Sequence, residues 1–188
     1  KGVGFHEKLG TMWDKTERIK NMTSTFGEML ALDEAIRKNA ERAAALAKTD
    51  LLTQMVREFP ELQGVAGRFY AAKEENTDVS SALEQHYWPL SAAGRLPESE
   101  TAALVALADK MDTLFANFSV GLGPSGSADP YGLRRMAVGV IRILLDRKWE
   151  RPLEDLIQAA ADELKRQGRS VGEATKELNE FFHQRFHF

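Results

Sequence analysis

The chain of 188 residues has no cysteine. Disulfides, thiolate metal ligation and a cysteine nucleophile are therefore excluded. Long hydrophobic runs are also missing. The apolar stretches are a few residues each, far short of the ~20 needed to cross a bilayer. No membrane-spanning helix is expected, no signal peptide is read, and a cytoplasmic location is expected. Neither sign of charge dominates. The 25 Lys plus Arg stand against 28 Asp plus Glu, a formal net charge of −3. That argues against a dedicated, strongly basic nucleic-acid binder and leaves room for a local basic face. Strand-like alternation and internal repeats are lacking as well. The chain opens at Lys1 without methionine, and we expect an excised piece of a longer protein.

What is present is an ordinary globular balance, 43% hydrophobic and 28% charged, in a chain long enough to bury a core without staples. Helical spacing dominates. Trp13, Ile19, Phe26 and Leu30 predict a helix from Thr11 to about Leu32. Alanines from Ala35 to Ala47 predict a second, closely packed one. Leu51, Leu52, Met55, Val56 and Phe59 continue its apolar face to Pro60. A third is expected from Glu61 to Ala72. A fourth, capped by Thr77 or Asp78, runs to Pro89. Ser99 caps a long helix through Leu104, Met111, Leu114 and Phe118. Asp129 caps another with Pro130 at its first position, Pro152 opens the next, and Ser170 begins the last. The expected fold is all-α, a bundle of about eight helices over 1–188, with a subdivision possible near 121–130.

Four histidines are present: His6, His86, His183 and His187. The last two are four apart and share a helix face, yet two ligands do not make a zinc site. His86 reads as a packed histidine at a helix end. Asp50 and Asp109 each sit in an apolar helical setting, where an unpaired carboxylate is costly. Their partners are an arginine such as Arg68, backbone groups, or a metal. Gly121–Pro130 is rich in glycine and serine and resembles a phosphate nest but not a P-loop. Beyond it, Asp129 to Arg151 holds six basic and three acidic residues. Arg134, Arg135, Arg142 and Lys148 are the candidate phosphate contacts there, with a solvated face or internal salt bridges as the plain alternative. Lys8, Lys15, Arg18 and Lys20 form a second basic group.

Five stretches carry a resemblance. They are Phe5–Met12 with Lys15 and Arg18-Ile19; Lys48–Val56 running into Glu58–Gly64 and Gly67–Ala71; Glu84-Gln85-His86-Tyr87-Trp88-Pro89; Leu107–Leu114; and Pro124–Tyr131 with Leu133-Arg134-Arg135 and Gly139–Ile143. In order and spacing they resemble the beta subunit of the bacterial two-subunit glycyl-tRNA synthetases, along nearly the whole chain. The resemblance implies an internal, HD-related helical domain of a larger subunit. That subunit supports tRNA binding and subunit organisation, while an alpha subunit holds the class II aminoacylation centre.

The implied partners are the alpha subunit, the rest of the beta subunit and tRNA(Gly). ATP and Mg²⁺ serve the whole enzyme, and no cofactor or catalytic residue is assigned to this stretch. HD-type phosphohydrolases bind a divalent metal through a histidine, a His-Asp pair and a distant Asp. Asp50 matches the Asp of the pair, Thr49 stands where its histidine would be, and Asp109 matches the distant Asp. The implied metal chemistry is eroded. Thr53, Glu58, Arg68 and Tyr70 are expected to form a polar network. Ala128 stands where the family carries a lysine in the loop. The competing expectations are a metal-dependent phosphohydrolase acting on nucleotides, and a purely structural helical spacer.

Overall fold

Thr11 starts the first helix with a reciprocal cap. Its hydroxyl accepts from the Asp14 N–H at 3.2 Å, and the Asp14 carboxylate accepts from the Thr11 N–H at 2.7 Å. The result is α1, Met12–Met29. The structure, a computed structural model, describes residues 4–184. Ahead of α1 lies a two-stranded hairpin, β1 (Gly4–His6) with β2 (Gly10–Thr11), whose strands are too short to show alternation in the sequence. Gly10 is required there. Its φ is +86°, and a Cβ would stand 2.3 Å from the Asp14 carboxylate.

The alanine-rich α2 (Glu34–Leu46) lays fully buried Ala40, Ala43 and Ala44 against its neighbours. The chain then departs from its expected course. Thr49–Leu52 forms a tight 3₁₀ turn, α3 spans only Gln54–Glu58, and Pro60–Leu62 is another 3₁₀ turn. Leu52, Met55 and Phe59 are exposed, and Val56 alone of the apolar residues there is buried. The predicted continuous apolar face is thus broken, because Thr53 starts a fresh helix by capping the Val56 N–H. The helix expected from Glu61 begins later, as α4 (Val65–Ala71). In α5 (Thr77–Gln85) the cap is Asn76, one residue before the expected Thr77, with its side-chain oxygen 3.0 Å from the Val79 N–H.

Ser99 does cap α6 (Glu100–Ser119), accepting from the Ala102 N–H at 3.1 Å. Of its 20 residues 17 are buried, the mark of a helix surrounded by others. Helices α1, α2 and α5 contact it, as do α7 (Leu133–Arg147), α8 (Leu153–Arg166) and α9 (Ala174–His183). Asp129 acts from further back than expected. Its carboxylate takes the Leu133 and Arg134 N–H groups at 2.8 and 3.0 Å, while Pro130 lies in the turn and Gly132 in the left-handed region at the helix entry. The last helix starts at Ala174 rather than Ser170.

Among the described residues there are nine α-helices, and the fold is an all-α bundle. Buried Ile19 and Phe26, before the 121–130 loop, belong to one hydrophobic cluster with Leu133, Val140 and Leu156 after it. Trp13, one of the residues whose spacing predicts the first helix, is half exposed. His187 lies outside the described residues; His183 instead stands 3.5 Å from the Glu154 carboxylate.

Candidate functional site

Burying α6 on every side buries its charged residues too. Asp109 and Asp112, three apart, face α1, where Lys15 and Arg18 are also three apart. The Arg18 Nε donates to Asp112 Oδ1 at 2.5 Å. The Lys15 Nζ donates to Asp112 Oδ2 at 2.8 Å and to the Thr113 hydroxyl at 2.7 Å, and lies 3.3 Å from Asp109 Oδ1. Lys48 completes the set. Its Nζ donates to Asp109 Oδ2 at 2.8 Å and sits 3.9 Å over the Tyr87 ring. The backbone of Lys48 is left-handed, with φ of +70°, an unfavourable conformation for a lysine. Arg18 and Asp112 have no exposure at all.

Electrostatics follow from this geometry. Burial alone raises the pKa of Asp109, but the ammonium groups of Lys48 and Lys15 outweigh it and hold the carboxyl below its usual range. Asp112 is likewise lowered, burial being outweighed by Lys15 and Arg18. His86 is fully enclosed, and burial together with Lys48 holds its pKa low, so its ring is neutral. Its Nδ1 lies 3.2 Å from the Ala82 carbonyl, the packed helix-end setting read from the sequence. Lys110, beside Asp109, is pushed down to about 8 by burial, against the pull of Asp109.

Asp50 and Asp109 both act on Tyr87, raising its pKa after burial has done so, but they serve different partners. Asp50 accepts from the Gly64 N–H at 2.6 Å. Its partner is therefore backbone, and Arg68 pairs with Glu84 instead, at 3.0 Å. A surface pocket of about 320 Å³ opens beside Asp50, lined by Arg42, Thr49, Thr53, Tyr70 and Glu75 among others. The expected polar network dissolves into local contacts. Thr53 donates to the Asp50 carbonyl at 2.6 Å, Glu58 accepts from Gln54 at 2.7 Å, and Tyr70 meets the Met55 sulfur at 4.0 Å.

The basic stretch divides in two. Arg134 braces the preceding loop, donating to the Gly126, Ala128 and Ser127 carbonyls at 2.6, 3.2 and 3.4 Å. Arg142 donates to the Ala92 and Gly94 carbonyls, each at 2.8 Å. Arg147 donates to the Pro97 carbonyl, and Arg151 pairs with Asp155 at 2.8 Å. Arg135 and Lys148 are exposed.

A family model described as glycyl-tRNA synthetase beta subunit matches residues 1–188. The chain belongs to that family. It is similar to the glycine–tRNA ligase beta subunit of Citrifermentans bemidjiense, 47% identical over 188 residues that make up 99% of this chain and 27% of the relative. Similarity to the same subunit of Oceanobacillus iheyensis is 45% over 185 residues, 97% of this chain and 27% of the relative. For Bacillus subtilis it is 46% over 156 residues, 82% and 23%. The chain thus spans about a quarter of the length of these relatives.

In this glycyl-tRNA synthetase beta-subunit segment an HD-type metal does not fit the donor set. Asp109 presents its oxygens to two ammonium groups. Asp50 is engaged by the Gly64 N–H. Thr49, in the histidine's place, turns its hydroxyl to the Leu46 carbonyl at 2.7 Å. Among the described residues no three His, Asp or Glu side chains stand together as a metal site. Sequence reasoning missed Lys48 and Asp112, and it read Lys15 and Arg18 only as members of a second basic group. A signal was there: cations at 15 and 18 and acids at 109 and 112 share the same i, i+3 spacing inside apolar helices.

Proposed function

We propose that the segment is a non-catalytic helical platform of a glycine–tRNA ligase beta subunit. It supports tRNA(Gly) positioning and subunit organisation during ATP- and Mg²⁺-dependent glycylation on another polypeptide. Its partners are the alpha subunit and the remainder of the beta subunit. The observation carrying this reading is the Lys48–Asp109–Lys15 arrangement, in which ammonium groups take the charge that a hydrolytic metal would need. The carboxylates are spent on holding α1, α6 and the turn after α2 together. Within residues 129–151, Arg135 and Lys148 are exposed with no ion pair among the described residues and are offered to RNA phosphate. Such contacts position a nucleic acid without reading its sequence.

Backbone footprinting of tRNA(Gly) on the complete two-subunit enzyme tests this. With Arg135 and Lys148 both changed to glutamine, protection is lost at discrete backbone positions, and the salt slope of binding falls by about one for each phosphate released. An unchanged footprint and slope would remove the tRNA part of the reading. Stoichiometric Mn²⁺ uptake by this chain with phosphodiester or nucleotide turnover would install the phosphohydrolase in its place.

A further inference from the structure

A second concave site lies on the other side of Asp109. It is a pocket of about 160 Å³ between the Tyr87–Leu90 segment, the middle of α6 and the first turn of α7, lined by Tyr87, Asp109, Lys110, Thr113, Arg135 and Met136 among others. Lys110 is buried, and its ammonium meets carbonyls rather than a carboxylate, those of His86 and Tyr87 at 3.3 and 3.4 Å. It forms no ion pair among the described residues. Gly139 lets α7 come this close, since a Cβ there would press on the Lys110 Cε at 3.1 Å. Arg135, at the mouth, is exposed and makes no hydrogen bond or ion pair among the described residues. Its guanidinium folds back over Gly132, and its positive charge repels that of Lys110.

Positive charge is in excess here. Around the Asp109 junction the buried cations are Lys15, Arg18, Lys48 and Lys110, and the buried acids are Asp50, Asp109 and Asp112. Asp50 is turned away to Gly64, and Asp109 and Asp112 are already matched by Lys15, Arg18 and Lys48. Lys110 and Arg135 face one cavity at the first turn of α7. Asp129 already takes the terminal N–H groups of that helix. Asp109, which also lines the cavity, is engaged by Lys15 and Lys48, so neither Lys110 nor Arg135 has a direct ion-pair partner among the described residues. An arginine fork with an ammonium behind it suits a tetrahedral oxyanion. A volume of about 160 Å³ admits a phosphate group.

We propose that this pocket binds a phosphate group, held by Arg135 at the mouth and Lys110 at the base. The group is either a backbone phosphate of RNA or that of a small phosphate compound. The site does not depend on the tRNA reading above, and its test keeps the two apart. Inorganic phosphate is titrated into the 188-residue chain at constant ionic strength, with chloride as the control, while the Lys110 side chain is followed by NMR.

Phosphate is expected to saturate and to raise the Lys110 pKa from about 8 by about one unit, the effect of a nearby opposite charge. Arg135→Gln, an exposed change that spares the core, is expected to weaken saturation about fivefold or more. In a parallel arm the complete enzyme carrying Arg135→Gln is assayed for tRNA affinity. Weakened tRNA binding together with the phosphate response identifies an RNA phosphate as the occupant. Unchanged tRNA binding with the phosphate response intact identifies a small phosphate compound. No saturable change at Lys110, or one that Arg135→Gln leaves untouched, overturns the proposal even if tRNA binding falls.

Discussion

Asp112 is closed to water, and its two oxygens receive Arg18 and Lys15 at 2.5 and 2.8 Å. Removing the charge while keeping the shape, as in Asp112→Asn, takes from buried Arg18 its carboxylate partner and from Lys15 one of its two. Loss of one member of a buried pair costs about 3–5 kcal/mol, so urea denaturation is expected to show a shift of that size. Acid dependence follows from the same group. Asp109 and Asp112 are held below the ordinary carboxylate range in the folded chain, so on acidification the unfolded chain takes up protons first. The stability they confer is whole above about pH 5 and drains away as the pH falls through 4. Lys110 acts in the opposite direction. Its folded pKa of about 8 lies below the ordinary 10.5, so between those values the unfolded chain holds more protons and stability rises with pH. Lys110→Met is therefore expected to stabilise the chain at pH 7 by about 1–2 kcal/mol, roughly half of what that shift represents, the lost carbonyl bonds offsetting the rest. The gain should vanish above about pH 10 in melts run across pH. At this scale Asp50 and Asp109 were legible as buried acids in need of partners. The identity of the partners was not, because spacing along Lys15–Arg18 does not say which helix it will face.

Helix ends were more legible than the connections between them. Ser99 and Thr11 sit where a side-chain oxygen meets a free N–H, and both cap as their positions require. The misplacements are local and have local causes. Asn76 takes the cap from Thr77 because its amide oxygen reaches the Val79 N–H. Asp129 caps α7 across Pro130, Tyr131 and Gly132, because Gly132 lends a left-handed turn. Leu51, Leu52, Met55, Val56 and Phe59 read as a continuing apolar face. Yet Leu52 and Phe59 are more than half exposed, at 54% and 51%, since two 3₁₀ turns rotate them off the axis that α2 had set. Asp129→Ala is expected to cost about 1 kcal/mol, the ordinary worth of a cap. Hydrogen exchange should quicken first at the Leu133 and Arg134 amides it bonds. Faster exchange spread evenly along α7 would instead mean that Asp129 acts through the loop that Arg134 braces.

For the whole molecule, the question is what joins residues before the 121–130 loop to those after it. Apolar packing is one tie, with Ile19, Phe26 and Phe115 in the same buried cluster as Leu133, Val140 and Phe181. Polar ties run the same way. Arg18 on α1 donates to the Gln167 side chain at 2.9 Å, the Gln167 amide donates to the Asp14 carbonyl at 2.9 Å, and Asn21 donates to Glu163 at 3.0 Å. Arg18 is also the partner of Asp112, so the central charge cluster and the C-terminal helices share one buried side chain. Neither half can leave without exposing α6 and taking the Gln167 acceptor from that guanidinium. Calorimetry is therefore expected to show a single transition whose van't Hoff and calorimetric enthalpies agree. A protease cut within 121–130 should leave the two pieces associated until that same transition. Two resolved transitions, or pieces that part on gel filtration at neutral pH, would show instead that the loop divides two units and that the shared core does not bind them into one.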